Sequence, residues 1–155
     1  MKLEFKLWME EQVAGTQLSA QQAKQMVMSH KGPLNAEGVR TDMFDNAEHH
    51  GFPITYDPDF SISNIGRRIQ GYDMGRVMEM IGVMFQTLKL PPPQDRNQID
   101  RAAVAQHAEQ FKEMLPPIIV SILPDETYHL GDGNHRLGTA RTLGIPTLKA
   151  FVIQS

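Results

Sequence analysis

The sequence has no cysteine among its 155 residues. Disulfides, thiolate metal sites and cysteine nucleophiles are excluded together, and a reducing compartment, the cytoplasm, is the expected setting. Long apolar runs are missing too, for none approaches the roughly 20 residues a membrane-spanning helix needs. The segment Met1 to Glu11 alternates charged with apolar residues, so it lacks the continuous apolar stretch of a secretion signal. No membrane partner is expected. A surplus of positive charge is also absent. The net charge is −3, with nine basic and eleven acidic residues in 1–90 and six and seven in 91–155. Charge neutralisation of phosphates drives free-standing nucleic-acid binding, so this balance makes DNA a secondary candidate partner. There is neither an internal repeat nor a low-complexity tract.

What is present suits a folded α+β protein in two parts, divided near Leu90 where Pro91-Pro92-Pro93 must stop any helix. Residues 1–90 read as a mainly helical N-terminal extension, and residues 91–155 as a core with a small mixed sheet and packed helices. In the extension, Ser19 with Gln22 forms a helix-start pattern ahead of Ala20 to His30. Residues 32–63, rich in Gly, Pro, Asp and Asn, read as turns and short strands, Phe52 to Tyr56 being one. Asp73 then opens a helix whose apolar stripe is Met74, Val77, Met78, Ile81, Met84, Phe85 and Leu88. Six of the ten methionines lie between Met26 and Met80, where flexible thioethers suit an irregular core.

In the core, Asp100 is placed to cap a helix running to about Met114. Ile118 to Leu123 is a β-branched run suited to a buried strand, and Thr127 to Leu130 reads as its partner. Gly131-Asp132-Gly133 turns the chain, Asn134 is expected to cap a helix bearing Leu137, Ala140 and Leu143, and Gly144 closes it. Leu148 to Ile153 makes the last strand.

The turn Gly131-Asp132-Gly133-Asn134-His135-Arg136 carries the chemistry. The first turn of a helix presents unpaired N–H groups and partial positive charge. Glycines at 131 and 133 let backbone approach a ligand closely. Placing His135 and Arg136 at the helix's positive end is unfavourable by roughly 0.3–1 kcal/mol per charge, and an anion in front of the turn reverses that sign. Gly131, Gly133, Asn134 and Arg136 are thus the candidate phosphate-binding residues. Asp132 is the candidate metal ligand, because Mg²⁺ is often held by one carboxylate together with substrate phosphates. Asp132 and His135 are the candidate catalytic pair, His135 as acid, base or phosphate donor. A structural reading stands beside this one, with Asn134 only a cap, Asp132 only a turn former and Arg136 paired with Asp125 or Glu126.

Three segments together, Leu115 to Leu123, Tyr128 to Arg136 and Leu143 to Val152, resemble the ParB/sulfiredoxin superfamily, with Pro93-Gln94-Asp95-Arg96 and the helix to Phe111 in matching places. The resemblance implies a ParB/sulfiredoxin-like core over about 60 residues (residues 1–90 having no counterpart) and a polyphosphate held by the turn and helix start. Its branches differ. ParB partition proteins bind cytidine triphosphate with Mg²⁺ there, sulfiredoxins use ATP and a catalytic cysteine, and a third branch phosphorylates free serine with ADP or ATP. Asn134 stands at the sulfiredoxin cysteine position, so that chemistry is excluded. The chain ends at Ser155, directly after the core's last strand, so the DNA-binding and dimerisation regions of partition proteins are not expected. The serine-kinase glutamate has no equivalent in Pro91 to Arg96, where Asp95 is the nearest carboxylate.

The expected ligand is therefore a nucleotide (ATP, ADP or CTP) or another phosphorylated small molecule, with Mg²⁺, bound by a phosphotransferase, a nucleotide hydrolase or a sensor. A DNA-associated ParB-like module or nuclease, and a non-catalytic interaction domain, are the alternatives. Other constellations have plain readings. His49-His50 beside Glu48 and Asp45 read as solvated, and Asp57-Pro58-Asp59 as a turn. Arg67-Arg68 with Arg76 read as a solvated helix face. Trp8, Tyr56 and Tyr72 offer stacking faces without a motif around them.

Overall fold

Ser19 begins the first helix among the described residues, as its spacing predicts. Its hydroxyl accepts the Gln22 N–H and the Gln22 side chain accepts the Ser19 N–H, a reciprocal cap. The computed structural model describes residues 14–66 and 71–155; Met1 to Glu11, Trp8 and the Arg67-Arg68 pair lie outside them. Among the described residues are six α-helices and four strands. In chain order they are α1 (Ala20–Met28), α2 (Asp42–His49), β1 (Ile54–Ser61), α3 (Met74–Thr87), α4 (Arg101–Gln106), α5 (Ala108–Met114), β2 (Ile118–Ile122), β3 (Tyr128–Asp132), α6 (Asn134–Leu143) and β4 (Thr147–Gln154).

The sheet order is β1-β4-β2-β3. The central pair β2 and β4 run parallel, while β1 and β3 join antiparallel at the two edges. The protein is thus α+β with a mixed sheet. Its outer strand β1 comes from before Leu90, so residues on both sides of the triple proline share one sheet. Pro58 falls where the β1 register shifts between Asp57 and Phe60, a bulged edge position that tolerates the missing donor.

Burial follows the period of two along β2 and β4. Ile118, Val120, Ala150 and Val152 belong to the core beneath α3, α5 and α6. Ile119, Phe151 and Ile153 face the other way, against Leu18, Ala23, Val27 and Phe44 of the α1–α2 side. Helices therefore cover both faces, which explains why these strands are nearly continuous apolar runs. The stripe on α3 is core, with Val77, Ile81, Met84 and Phe85 buried.

Three expectations need correction. The 32–63 stretch contains a helix, α2, as well as turns and a strand. Only Phe44 and Ala47 of its eight residues are buried, too few to mark a stripe in sequence. Its anchor is tertiary, Phe44 packing edge-on to Phe151 at 4.8 Å. The helix capped by Asp100 is two helices, broken at His107 (φ −116°, ψ 27°). The His107 N–H still donates to the Ala103 and Val104 carbonyls, so the break is a kink. Finally, Asn134 does not cap α6; Gly133 does, with φ +118° and no capping side chain.

Candidate functional site

Gly131 and Asp132 are the last residues of β3, Gly133 is the bend, and Asn134, His135 and Arg136 form the first turn of α6. The bend leaves little room. A side chain at Gly133 would come within 2.6 Å of Ile118 Cγ2 and 3.1 Å of Arg136 Nε. One at Gly131 would meet Met43 Cε at 2.6 Å and the Ile119 carbonyl at 3.2 Å. Both glycines thus serve close approach, and the group approaching them is the protein's own core. Because Gly133 has no side chain to offer, the first N–H groups of α6 keep no cap.

Arg136 is nearly buried. One terminal nitrogen donates to the Pro117 carbonyl at 2.7 Å and the other to Asp132 Oδ2 at 2.9 Å. Its partner is therefore Asp132 rather than Asp125, which is bonded to Thr127 instead. Burial pulls the Arg136 guanidinium below its ordinary value; Asp132 opposes that, and like-charged Arg76 adds to it. A guanidinium nevertheless stays protonated. Asp132 Oδ2 also accepts the backbone N–H of Arg40 at 2.8 Å. Its second oxygen makes no hydrogen bond among the described residues.

His135 Nε2 accepts the Asp73 backbone N–H at 3.1 Å. The ring proton therefore sits on Nδ1, an assignment made from the hydrogen-bond partner. Asp73 in turn caps α3 through the Gly75 N–H. The starts of α3 and α6 are joined by this bond. Neither helix has an acidic residue in its first turn, and each has an arginine there, Arg76 and Arg136.

All six turn residues line one cavity of about 1030 Å³. Arg40, from the loop before α2, and Arg76 line it too. Three arginines and one carboxylate, Asp132, give this lining a local charge of +3 − 1 = +2, in a chain whose net charge is −3. Arg40 is exposed and pairs with Asp42 at 3.1 Å. Arg76 is exposed and has no opposite-charge partner among the described residues. Local sequence offered no signal for Arg40. Arg76 had a partial one, an arginine in a helix first turn as at Arg136, although here an acid, Asp73, caps the helix.

Residues 69–155, more than half of the chain, match the family model of the ParB N-terminal domain. The chain belongs to that family. No curated protein and no solved structure shows significant similarity to it. The ParB N-terminal domain segment holds the whole turn and Arg76, whereas the loop Pro33 to Arg40 and the residues Ile65-Gly66, which also line the cavity, lie upstream of it.

No group of three or more His, Asp or Glu side chains that could hold a metal occurs among the described residues. Near His49 and His50, the candidate acids are already engaged: Asp45 pairs with Lys24 and Glu48 accepts the Ala20 N–H. His50 stacks on Phe52. In the cavity, the free oxygen of Asp132 suits a cation that arrives with an anionic ligand and takes its other ligands from it. Tyr56 is buried in the α1–α2 core, Tyr72 packs over Gly138, and neither lines the cavity. No helix among the described residues is long and apolar enough to cross a membrane.

Proposed function

We propose that this ParB N-terminal domain protein binds a nucleotide or another phosphorylated small molecule in the cavity at the head of α6. The observation that carries the reading is the three-arginine, one-carboxylate lining around an uncapped helix start. Unpaired N–H groups and the helix dipole favour an anion at that point. Gly131, Gly133 and Asn134 shape the cradle. Arg76, which has no carboxylate partner among the described residues, is the cation placed to take two phosphate oxygens in a bidentate grip. Arg136, already bonded to Pro117 and Asp132, holds the cradle in shape and adds its charge from beneath.

His135 donates to the ligand through Nδ1–H, since Nε2 is engaged by Asp73. Asp132 would offer its free oxygen to Mg²⁺, which would neutralise phosphate charge when bound together with the ligand. Positioning and charge neutralisation are the main requirements of phosphoryl transfer, so a phosphotransferase or nucleotide hydrolase is the activity this arrangement suits. DNA association is the second reading for a ParB-like module. The basic groups line a cavity, however, whereas duplex binding needs phosphate contacts spread over an open face.

The test is binding of a fluorescent nucleotide with Mg²⁺, competed by inorganic phosphate compounds and by duplex DNA. Competition by the small anions and not by DNA is expected. Binding of duplex DNA that collapses from low to moderate salt, with no nucleotide binding, would overturn the reading. Phosphate release, and its loss in His135→Ala, then decides whether binding leads to turnover.

A further inference from the structure

The cavity has a second wall outside the family segment, and its composition differs from that of the turn. The loop Pro33 to Arg40 contributes Pro33, Leu34, Asn35, Gly38 and Val39 as well as Arg40. It is tied down along its length. The Leu34 carbonyl lies 2.9 Å from His30 Nε2, and Gly32, just before it, abuts the backbone of Met114. At the far end the Arg40 N–H holds Asp132 Oδ2, and Met43, just beyond, fills the space beside Gly131. The loop therefore spans from the α5 end to the phosphate turn, with its only cation at the turn.

Chemistry along this wall is graded. Arg40 sits where the anion is held; Glu37 does not line the cavity, and the other lining residues of the loop are apolar or uncharged, with one amide. Asn35 is exposed, and its Oδ1 accepts the Glu37 N–H at 3.1 Å, which fixes the amide. Its Nδ2 then carries two donors with no partner among the described residues. An apolar wall with one oriented pair of donors is poorly matched to phosphate. It suits a flat or ring-shaped uncharged group that carries hydrogen-bond acceptors.

We propose that residues 33–40 are the specificity wall of the cavity, reading the uncharged, acceptor-bearing part of a phosphorylated ligand (a base or a sugar) through the Asn35 amide. This deepens the phosphate-binding reading and rests on it. A site that offers donors to a ligand rejects analogues lacking the acceptor, because its own polar groups would be left unpaired.

The experiment is isothermal titration of the full-length chain with inorganic tripolyphosphate and with each of the four ribonucleoside triphosphates, all with Mg²⁺. Wild type is compared with Asn35→Ser, which keeps an oxygen for the Glu37 N–H, and with Asn35→Ala. The wild type should bind one nucleoside triphosphate more tightly than tripolyphosphate. Both variants should lose about five- to tenfold in affinity for that nucleotide, the worth of one or two hydrogen bonds, and keep their tripolyphosphate affinity. Unchanged nucleotide affinity in both variants would overturn the inference, as would equal losses for both ligands or a wild type that prefers tripolyphosphate. A wild type that binds none of these ligands would instead remove the phosphate-binding reading, and the inference with it.

Discussion

Asp132 and Arg136 form an ion pair 2.9 Å long in which the two side chains are only 15% and 10% exposed. They lie four positions apart, so the pair bridges the end of β3 and the first turn of α6. Each partner also reaches a further element, Asp132 the Arg40 N–H and Arg136 the Pro117 carbonyl. One ion pair thus fixes the relative positions of four backbone segments around the cavity.

Removing one member of such a pair leaves a nearly buried charge without compensation. Arg136→Ala should therefore destabilise the fold by about 3–5 kcal/mol, and the Asp132→Ala, Arg136→Ala double variant by less than the sum of the single losses. Urea unfolding of the four proteins measures both quantities. A loss under about 1 kcal/mol in Arg136→Ala would show that the pair is dispensable.

Arg76 should behave oppositely. It is exposed and faces the like-charged Arg136, so Arg76→Ala should leave stability within about 0.5 kcal/mol of wild type or raise it slightly. Its effect belongs to ligand affinity. Parallel urea curves and nucleotide titrations of this variant separate the two roles.

Gly133→Ala combines a positive φ with a collision. The backbone angle alone costs about 1–3 kcal/mol for a side-chain-bearing residue, and the contact with Ile118 Cγ2 adds overpacking of about 1–3 kcal/mol. The unfolding midpoint in urea should fall accordingly, and an unshifted midpoint would contradict the geometry.

Lys112 predicts an alkaline effect. Burial lowers its pKa, but hydrogen bonds from its ammonium to Asp59 and Glu109 outweigh that, leaving the pKa above the ordinary 10.5. A base whose folded value is raised adds stability that is full below its unfolded pKa and is lost as pH rises through the folded value. Unfolding free energy of wild type should fall as pH rises past about 10.5, and Lys112→Met should flatten that fall. Equal slopes in the two proteins would contradict the assignment.

Much of this fold was legible in the sequence because its signals are local. The Ser19–Gln22 pair, the α3 stripe and the β-branched run at Ile118 each state their structure within a few residues. α2 was not legible, since only two of its residues are buried and Phe44, the larger, finds its aromatic partner far along the chain, in Phe151 of β4. The kink at His107 has no proline or glycine to announce it. At the site, the six residues of the turn were readable as a unit, and their shared cavity lining agrees with that grouping. The division of labour among them was not. Arg136 also bonds the Pro117 carbonyl and the Asp132 carboxylate, partners that no local pattern names. Arg40 reaches the turn through its backbone N–H, a group every residue but proline has, so no side-chain pattern could mark it.

The most direct measurement is thermal melting of the wild type and Arg76→Ala against nucleotides with Mg²⁺. A ligand at 100 times its dissociation constant adds about 2.7 kcal/mol of stability. The cavity reading predicts that at least one nucleotide raises the wild-type midpoint, and that Arg76→Ala, folded and equally stable, responds far less. A well-folded wild type that no nucleotide shifts, or an Arg76→Ala variant that responds as fully as wild type, would contradict it.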